Sequence, residues 1–360
     1  MMNQRIRRTF VLWATLVCAI LGNVAGTVGT TEYGDIKPRT AGWICKKMLL
    51  VGKPLLVSDK FGQIITMPKN ESENIVLRRY TKLPITGAKV PMAEGVTPDA
   101  TQLTKEDVVA TLLQYGAWVQ ISDKIEDLHD DPILNIASER LGEQAAETID
   151  SIRFDYLVAG TSVQYANGAL RTSVNTVIDR GDIRIAQRTL ARNLSKFITR
   201  LISPSPDFGT AAVEAGYWAV THVDLEHDIR SMSGFINAKD YPRGGAIEGE
   251  IGAVDKVRFV TTTQMPYWTG GGAAGGTNVL ETGGIADVYP VLIFARDAYA
   301  IIPLAGKNSL KVMVLNPNVP RGGDPLGQRG SAAWKTMQTV CILNDSWMTR
   351  IETACTSVPT

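Results

Sequence analysis

Two segments of the chain repeat apolar residues every three and four positions, which is the spacing of an amphipathic α-helix. The first opens with Asp131 as an N-cap and Pro132 at the first helical position, and we expect it to run to about residue 158 or 160. Its apolar stripe consists of Leu134, Ala137, Leu141, Ala145, Ile149 and Ile152. The acidic residues opposite that stripe are Glu139, Glu143, Glu147 and Asp150. The pattern predicts a long helix with one buried face and one solvated acidic face.

The second helical segment is predicted for residues 182–201, before Pro204 and Pro206. Its apolar stripe consists of Ile183, Ala186, Leu190, Leu194, Phe197 and Leu201. The opposite face repeats a basic residue every four positions, at Arg184, Arg188, Arg192, Lys196 and Arg200. Like charges at this spacing repel one another, so the row is either screened by water and salt or matched by a partner.

Strict alternation of apolar and polar residues over 113–122 predicts a half-buried β-strand. We expect it to pair with a strand at 75–80, which makes 74–122 a long β-hairpin. Its irregular tip carries Pro84, Gly87, Pro91, Gly95 and Pro98. A two-stranded hairpin is marginally stable in water, so this one must lie on its own body or on a neighbour.

The rest of the chain has shorter elements. Residues 27–72 contain three prolines and read as an extended arm, with room for one short helix near 39–50. A short helix is predicted near 225–232, and the Gly-rich stretch 270–284 is predicted to be a flexible surface loop. Further strands are predicted at 217–221, 257–263, 288–295, 298–303, 311–315 and 336–343.

Composition narrows the function classes. The chain has 360 residues, 44% hydrophobic and 20% charged, with a net charge of +1, so it is globular and no condenser of nucleic acid. The four cysteines form no CxxC pair, and we expect them to be reduced. The segment 222–228 contains two of the three histidines without HExxH spacing, and the glycines at 270–276 lack a P-loop ending. We therefore expect no catalytic residues, no metal, no cofactor and no small-molecule substrate.

The N-terminus resembles a secretory signal. Arg5, Arg7 and Arg8 precede an apolar run at 10–21, followed by small residues at the offsets of a cleavage site. That run is too short to span a bilayer comfortably, and we expect no membrane partner. Residues 1–26 are therefore either a signal, a start assigned too far upstream, or an extension that is cleaved or buried.

The C-terminal part of the chain resembles a known family. The stretch 324–331, followed by Trp334–Lys335, 342–345 and 350–352, is similar to the major capsid proteins of the phage N-four-like family. That family has the Hong Kong 97-type capsid fold. Three other blocks agree in order and spacing, namely 31–36 with 39–41, 114–118 with Asp123, and 288–294 with 298–299. The resemblance covers about residues 27–355, and residues 1–26 have no counterpart.

The resemblance implies an α+β fold and a domain plan. The N-terminal arm would be 27–72 and the extended loop 73–123. The peripheral domain would be 124–170, with a long spine helix at 131–160. The axial domain would mainly be 171–305, and strands in 306–360 would return to the peripheral domain. Lysines 82, 89 and 105 carry no motif for covalent cross-linking, so we expect none.

Two sets of residues are candidates for a role in assembly. The candidates for subunit contacts are Arg78, Arg79, Tyr80, Tyr115, Trp118, Arg184, Arg188, Arg192, Lys196 and Arg200. The candidates for a structural turn are Asp324, Pro325, Gly327, Arg329, Gly330 and Trp334, because Asp-Pro and repeated glycines suit tight backbone geometry.

The resemblance implies a capsid subunit and no enzyme. Copies would form hexamers and pentamers of an icosahedral shell around the double-stranded DNA of a tailed phage, with nonspecific DNA contacts. Portal and scaffolding proteins would be partners, as would decoration proteins where a shell carries them. Assembly would occur in the host cytoplasm and the protein would reside in the virion. Three alternatives stay open: an encapsulin-like compartment shell, an exported envelope protein with a cleaved signal, and a nucleotide-dependent enzyme using the loop at 270–284.

Overall fold

The computed structural model describes residues 56–85, 89, 91, 94–97, 100–128, 133–198, 215–241, 249–305, 310–320 and 322–357. Predictions on residues 1–26, on the arm before residue 56, on Asp131 as N-cap and on Arg200 lie outside these residues. The helices are α1 (Asp123–Leu128), α2 (Ile133–Val158), α3 (Arg180–Arg192) and α4 (Glu226–Ser231). No helix in the described ranges has the length and apolarity needed to cross a lipid bilayer.

The strands of the first half are β1 (Gln63–Ile64), β2 (Asn74–Tyr80), β3 (Lys105–Thr111), β4 (Leu113–Ser122), β5 (Val163–Tyr165), β6 (Tyr217–His222), β7 (Phe235–Asn237) and β8 (Glu250–Val254). The strands that follow are β9 (Val257–Thr262), β10 (Glu281–Thr282), β11 (Ile285–Ala286), β12 (Val288–Phe294), β13 (Tyr299–Pro303), β14 (Leu310–Leu315), β15 (Arg329–Ile342) and β16 (Met348–Ala354). They form two large sheets and two two-stranded ribbons among the described residues.

The five-stranded sheet is organised around the long strand β15. Strands β13 and β14 pair with successive parts of β15, and β4 pairs with its other edge. Helix α2 covers one face, where Leu141 and Ala145 pack against Ala332 and Trp334. Alternation along β15 buries every second residue, as expected for a strand with one face under a helix.

The seven-stranded sheet has the order β5-β16-β12-β6-β9-β8-β7. Strands β12 and β16 are buried along their whole length, because the sheet is covered on both faces. Helices α3 and α4 cover one face, where Leu190 and Ile229 join Phe259 in a core. The other face packs against the C-terminal end of α2 through Phe154 and Leu157. Helix α2 therefore joins the two sheets.

The hairpin differs from its prediction. Strand β2 pairs with β3, residue Asn74 opposite Thr111 and Tyr80 opposite Lys105. The strand predicted as its second half, 113–122, pairs instead with residues 329–338 of β15. That second half is therefore part of the subunit's own sheet. The prediction missed β3 because its first three residues are charged, which hides the alternation.

The second predicted helix is shorter than expected. It begins with an Asp179–Asp182 capping box and ends at Arg192, and Leu194 has a φ of 55°. A backbone in the left-handed region cannot continue a right-handed helix. Lys196 and Phe197 therefore lie beyond the helix, so the basic row on the helix consists of Arg184, Arg188 and Arg192.

The C-terminal segment contributes one or more strands to each of the two large sheets. Strand β15 lies in the five-stranded sheet, but β16 lies inside the seven-stranded sheet between β5 and β12. Strand β13, expected in the same domain as β12, pairs with β15 instead. Strands β15 and β16 of the segment 306–360 therefore join different sheets, and the domain bounds stay a prediction.

Candidate assembly surfaces

The hairpin of β2 and β3 has one face on its own subunit. Ile75, Leu77 and Val108 pack against a core of six buried residues, which are Met67, Ala110, Leu112, Ala300, Ile302 and Cys341. This contact holds the base of the hairpin on the five-stranded sheet.

The other face of the hairpin is exposed and carries apolar residues beside charged ones. Val76 and Val109 are cross-strand partners and remain 54% and 60% exposed, and Tyr80 remains 59% exposed. Leu83 and Ile85, which follow β2 in the sequence, are also exposed. Several large apolar side chains exposed close together on one ribbon are typical of an interaction surface. We call Val76, Tyr80 and Val109 the outer hairpin face.

Two ion pairs cross the hairpin. Arg78 Nε donates to Asp107 Oδ1 over 2.7 Å, and Arg79 pairs with Glu106 on the opposite face. Of the predicted contact residues, Arg78 and Tyr80 thus share the outer hairpin face, while Arg79 lies on the other side. Both ion pairs join directly opposed residues in the register that also brings Val76 opposite Val109.

A second exposed apolar surface lies on the sheet. Trp118 on β4 is 64% exposed and stands opposite Ala333, which stands opposite Met313 on β14. A shallow groove of about 300 Å³ adjoins it, lined by Trp118, Gln120, Leu315, Gly323, Asp324, Arg329, Gly330 and Ser331. Tyr115 was predicted to share this role, but it lies on the opposite face and packs against the core under α2.

The basic row on α3 is only partly matched. Arg180 and Arg184 donate to the Asp255 carboxylate at 2.5 and 3.0 Å, and the hydrogen bond from Arg180 is the largest cause that lowers the pKa of Asp255. Arg188 and Arg192 are exposed and form no ion pair with any described residue. Lys196 is exposed but lies outside the helix.

The predicted turn is held by hydrogen bonds and leads into β15. Gly327 has a φ of 68°, Asn318 N donates to Gly327 O over 2.7 Å, and Arg329 N donates to Asp324 Oδ2 over 2.8 Å. Arg329, Gly330 and Trp334 were assigned to the turn, but the structure places them on β15. Trp334 is buried under α2, and its Nε1 donates to Gln144 Oε1 over 3.5 Å.

The acidic row on α2 is not uniform. Glu143 pairs with Arg140 at 2.7 Å and Glu147 is exposed, but Asp150 is fully buried. Asp150 was predicted on the solvated face. The sequence pattern failed here because the C-terminal half of α2 is enclosed by both sheets. Its burial raises the pKa of the Asp150 carboxyl.

Two further ionic clusters were not predicted from the sequence. Arg258 pairs with Glu250 at 2.7 Å, and its guanidinium lies 4.6 Å from the Trp218 ring. Arg171 and Arg350 both meet the buried carboxylate of Glu352 at 2.8 Å. These charges show no periodic spacing in the sequence, so the sequence pattern did not predict the clusters. The first cluster joins the neighbouring strands β8 and β9, and the second joins β16 to Arg171 in the segment between β5 and α3.

The segments considered for chemistry have structural contacts. His222 Nδ1 accepts from Asp224 N, and the Asp228 carboxylate accepts from Thr356 N. The Gly-rich loop is anchored, since Gly272 N donates to Ala286 O and Ala273 N to Val174 O, which corrects the prediction that the whole loop is flexible. Across the described ranges no group of His, Cys, Asp and Glu side chains is arranged to hold a metal ion.

Comparisons with known proteins agree with one another. A family model described as phage capsid protein matches residues 105–333. The major capsid protein of Pseudomonas phage KPP21 is 23% identical over 262 residues, which are 67% of this chain and 66% of that relative's length. The chain is thus aligned with slightly less than two thirds of this relative.

Solved structures show the same fold. The capsid of Ralstonia phage GP4 matches with a TM-score of 0.60 and 12% identity, over 82% of this chain and 88% of that one. The head structure of Helicobacter pylori bacteriophage KHP40 matches with a TM-score of 0.57 and 12% identity, over 93% of this chain and 99% of that one.

Proposed function

The chain belongs to the phage capsid protein family, and we propose that it is a major capsid protein whose copies join through the outer hairpin face into a closed shell. Its α+β architecture is the Hong Kong 97-type capsid fold, as the sequence resemblance implied. The single observation that carries the mode of assembly is the outer hairpin face. Val76, Tyr80 and Val109 stay exposed on a ribbon whose opposite face is already packed.

A neighbouring copy is the proposed occupant of that face. Subunits of a closed shell use the same surface patches again in each copy, and a stable specific interface buries on the order of 1,600 Å² in total. The hairpin and the groove beside Trp118 together provide two exposed apolar surfaces for such contacts. Arg188 and Arg192 add a basic surface, for which we propose carboxylates of an adjacent subunit as partners.

The wider assembly follows from the same proposal. Copies would form hexamers and pentamers of an icosahedral shell around double-stranded DNA, with nonspecific DNA contacts. Portal and scaffolding proteins, and decoration proteins where present, would be its partners, with assembly in the host cytoplasm. The family match favours a phage shell over an encapsulin-like compartment or an exported envelope protein. The anchored Gly-rich loop gives no support to nucleotide chemistry.

Deletion of residues 83–100 tests this mode of assembly. The deletion removes the tip and leaves β2 and β3, whose inner face packs on the subunit. We expect the variant to keep the circular dichroism spectrum and the melting temperature of the full chain, and to form no closed shells in electron micrographs. Normal shells from a folded deletion variant would contradict a role of the hairpin tip in assembly, since Val76, Tyr80 and Val109 of the outer hairpin face remain in this variant.

A further inference from the structure

A buried polar cluster lies where the chain first enters the described body. Its members are Ser58, Asp150, Arg153, Tyr299 and Gln338, and we call it the Ser58 cluster. All five side chains are buried, although Asp150 and Arg153 are charged. Two of them belong to α2, and Tyr299 and Gln338 belong to β13 and β15.

The Asp150 carboxylate binds the entering chain directly. Asp150 Oδ2 accepts from Val57 N over 2.7 Å, and Asp150 Oδ1 accepts from Ser58 N over 3.4 Å and from the Ser58 hydroxyl. One side chain in the middle of a helix thus holds two successive backbone amides of a segment that is remote in sequence.

Arg153 holds the same segment from the next turn of α2. Its guanidinium donates to Ser58 Oγ over 2.9 Å, to Asp59 Oδ1 over 2.6 Å and to Gln338 Oε1 over 2.7 Å. Tyr299 completes the cluster by donating its hydroxyl to Ser58 O over 2.7 Å. The amide, hydroxyl and carbonyl groups of Ser58 are all engaged, and their partners come from a helix and a strand.

The residues that follow the cluster have a different anchor. Phe61 packs against Trp218 with ring centroids 5.2 Å apart, and β1 pairs in parallel with β13. Met67 is buried in the core beneath the hairpin. These contacts keep 61–67 on the body without help from Asp150. The Ser58 cluster therefore controls the path of residues 57–59 in particular.

A buried polar cluster often stabilises a fold no better than apolar residues of similar volume would. Burial is the largest cause that raises the pKa of the Asp150 carboxyl, so the ionised form loses solvation in the fold. Apolar residues of similar volume often stabilise a core as well as buried charges do. Directional hydrogen bonds do what apolar contacts cannot, because they fix one orientation of the bound backbone.

We infer that Asp150 and Arg153 are positioning residues for assembly, which fix the direction in which the chain reaches the body at Val57. The preceding segment then starts from the same position and orientation in every copy. This inference rests on the proposed function, because the path of the entering chain can affect shell assembly only if the subunit builds a shell.

The test compares Asp150→Asn with Glu147→Gln. Both remove one negative charge from α2, but Glu147 is exposed. The carboxamide of Asp150→Asn has a donor where the carboxylate accepted, so it cannot satisfy both backbone amides. Hydrogen exchange of the unassembled subunit should be about ten-fold faster at Val57 and Ser58, since a lost charge-assisted hydrogen bond lowers the local opening energy.

Electron microscopy then measures the shells. We expect uniform shells from the wild type and from Glu147→Gln, and shells of mixed diameter or unclosed sheets from Asp150→Asn. Uniform shells from Asp150→Asn would overturn the inference, whether or not exchange is faster. If Asp150→Asn does not fold, Ser58→Ala decides in the same way, because it removes only the hydroxyl. A wild type without shells would overturn the proposed function itself, and the inference with it.

Discussion

Arg78 and Asp107 face each other across the two strands of the hairpin, with Arg78 Nε 2.7 Å from Asp107 Oδ1. The hydrogen bond from Arg78 is the largest cause that lowers the pKa of Asp107. Both side chains are exposed to solvent, so the pair adds little to stability. Its consequence is geometric, because this register puts Val76 opposite Val109 on the same exposed face.

The two faces of the hairpin should respond differently to the same substitution. Val76→Asp places a charge on the outer hairpin face, so we expect a stability close to that of the wild type and a loss of shells. Leu77→Asp is the matched control on the packed face, where it should cost about 2 kcal/mol or more. Chemical denaturation and electron microscopy measure the two effects. Normal shells from Val76→Asp would contradict the assignment of this face to a subunit contact.

Gly327 should tolerate no side chain. Its φ is 68°, and an added Cβ would lie 2.8 Å from Val319 N, so Gly327→Val combines backbone strain with a steric clash. We expect it to lower the free energy of unfolding by about 2 kcal/mol. Gly323→Val is the control, because an added Cβ there meets no atom within 4 Å. Equal unfolding midpoints for the two variants would show that the turn does not require glycine at position 327.

The basic row on α3 predicts a salt-dependent contact. Arg188 and Arg192 are exposed without an ion pair among the described residues, so changing both to Glu should weaken the association of subunits most strongly at low salt. Changing Glu143 and Glu147 to Lys should leave assembly closer to normal, while empty shells retain more nucleic acid. Sedimentation and nucleic acid content measure these effects. Normal assembly and no extra DNA in both variants would show that the basic row on α3 and the acidic row on α2 are only solvent-exposed helix faces.

Asp255 predicts a dependence of stability on pH. Its pKa is lowered in the fold, so its contribution is complete above its unfolded pKa of about 4 and is lost as pH falls through the lower folded value. Asp255→Asn should be less stable than the wild type by roughly 1 kcal/mol at pH 7, since the pair with Arg180 is partly exposed. The difference should vanish in strongly acidic solution. A difference that persists there would assign the effect to something other than ionisation.

Local patterns predicted the elements better than their partners. The long helix ends at Val158 as expected, and 113–122 is a strand as expected. Its predicted inward face is only partly buried, because Leu113 and Val119 remain exposed. The partner of that strand was predicted wrongly, because pairing with β15 depends on contacts far along the chain. Asp150 was misplaced for a similar reason: one helical stripe describes burial by one sheet, and α2 touches two.

The candidate surfaces, too, were predicted from the sequence only in part. Trp118 was predicted as a contact residue, and it is exposed. The outer hairpin face was only half visible in the sequence, since Val109 lies on the strand that was missed. The Ser58 cluster had no local signature at all, because its residues come from four separate parts of the chain.

The most direct test of assembly through the hairpin is an electron microscopy reconstruction of particles formed by the purified chain. We expect uniform closed shells in which Val76, Tyr80 and Val109 of each hairpin are covered by a neighbouring copy. Shells in which these residues remain exposed to solvent, or a folded chain that stays monomeric under all assembly conditions, would contradict it.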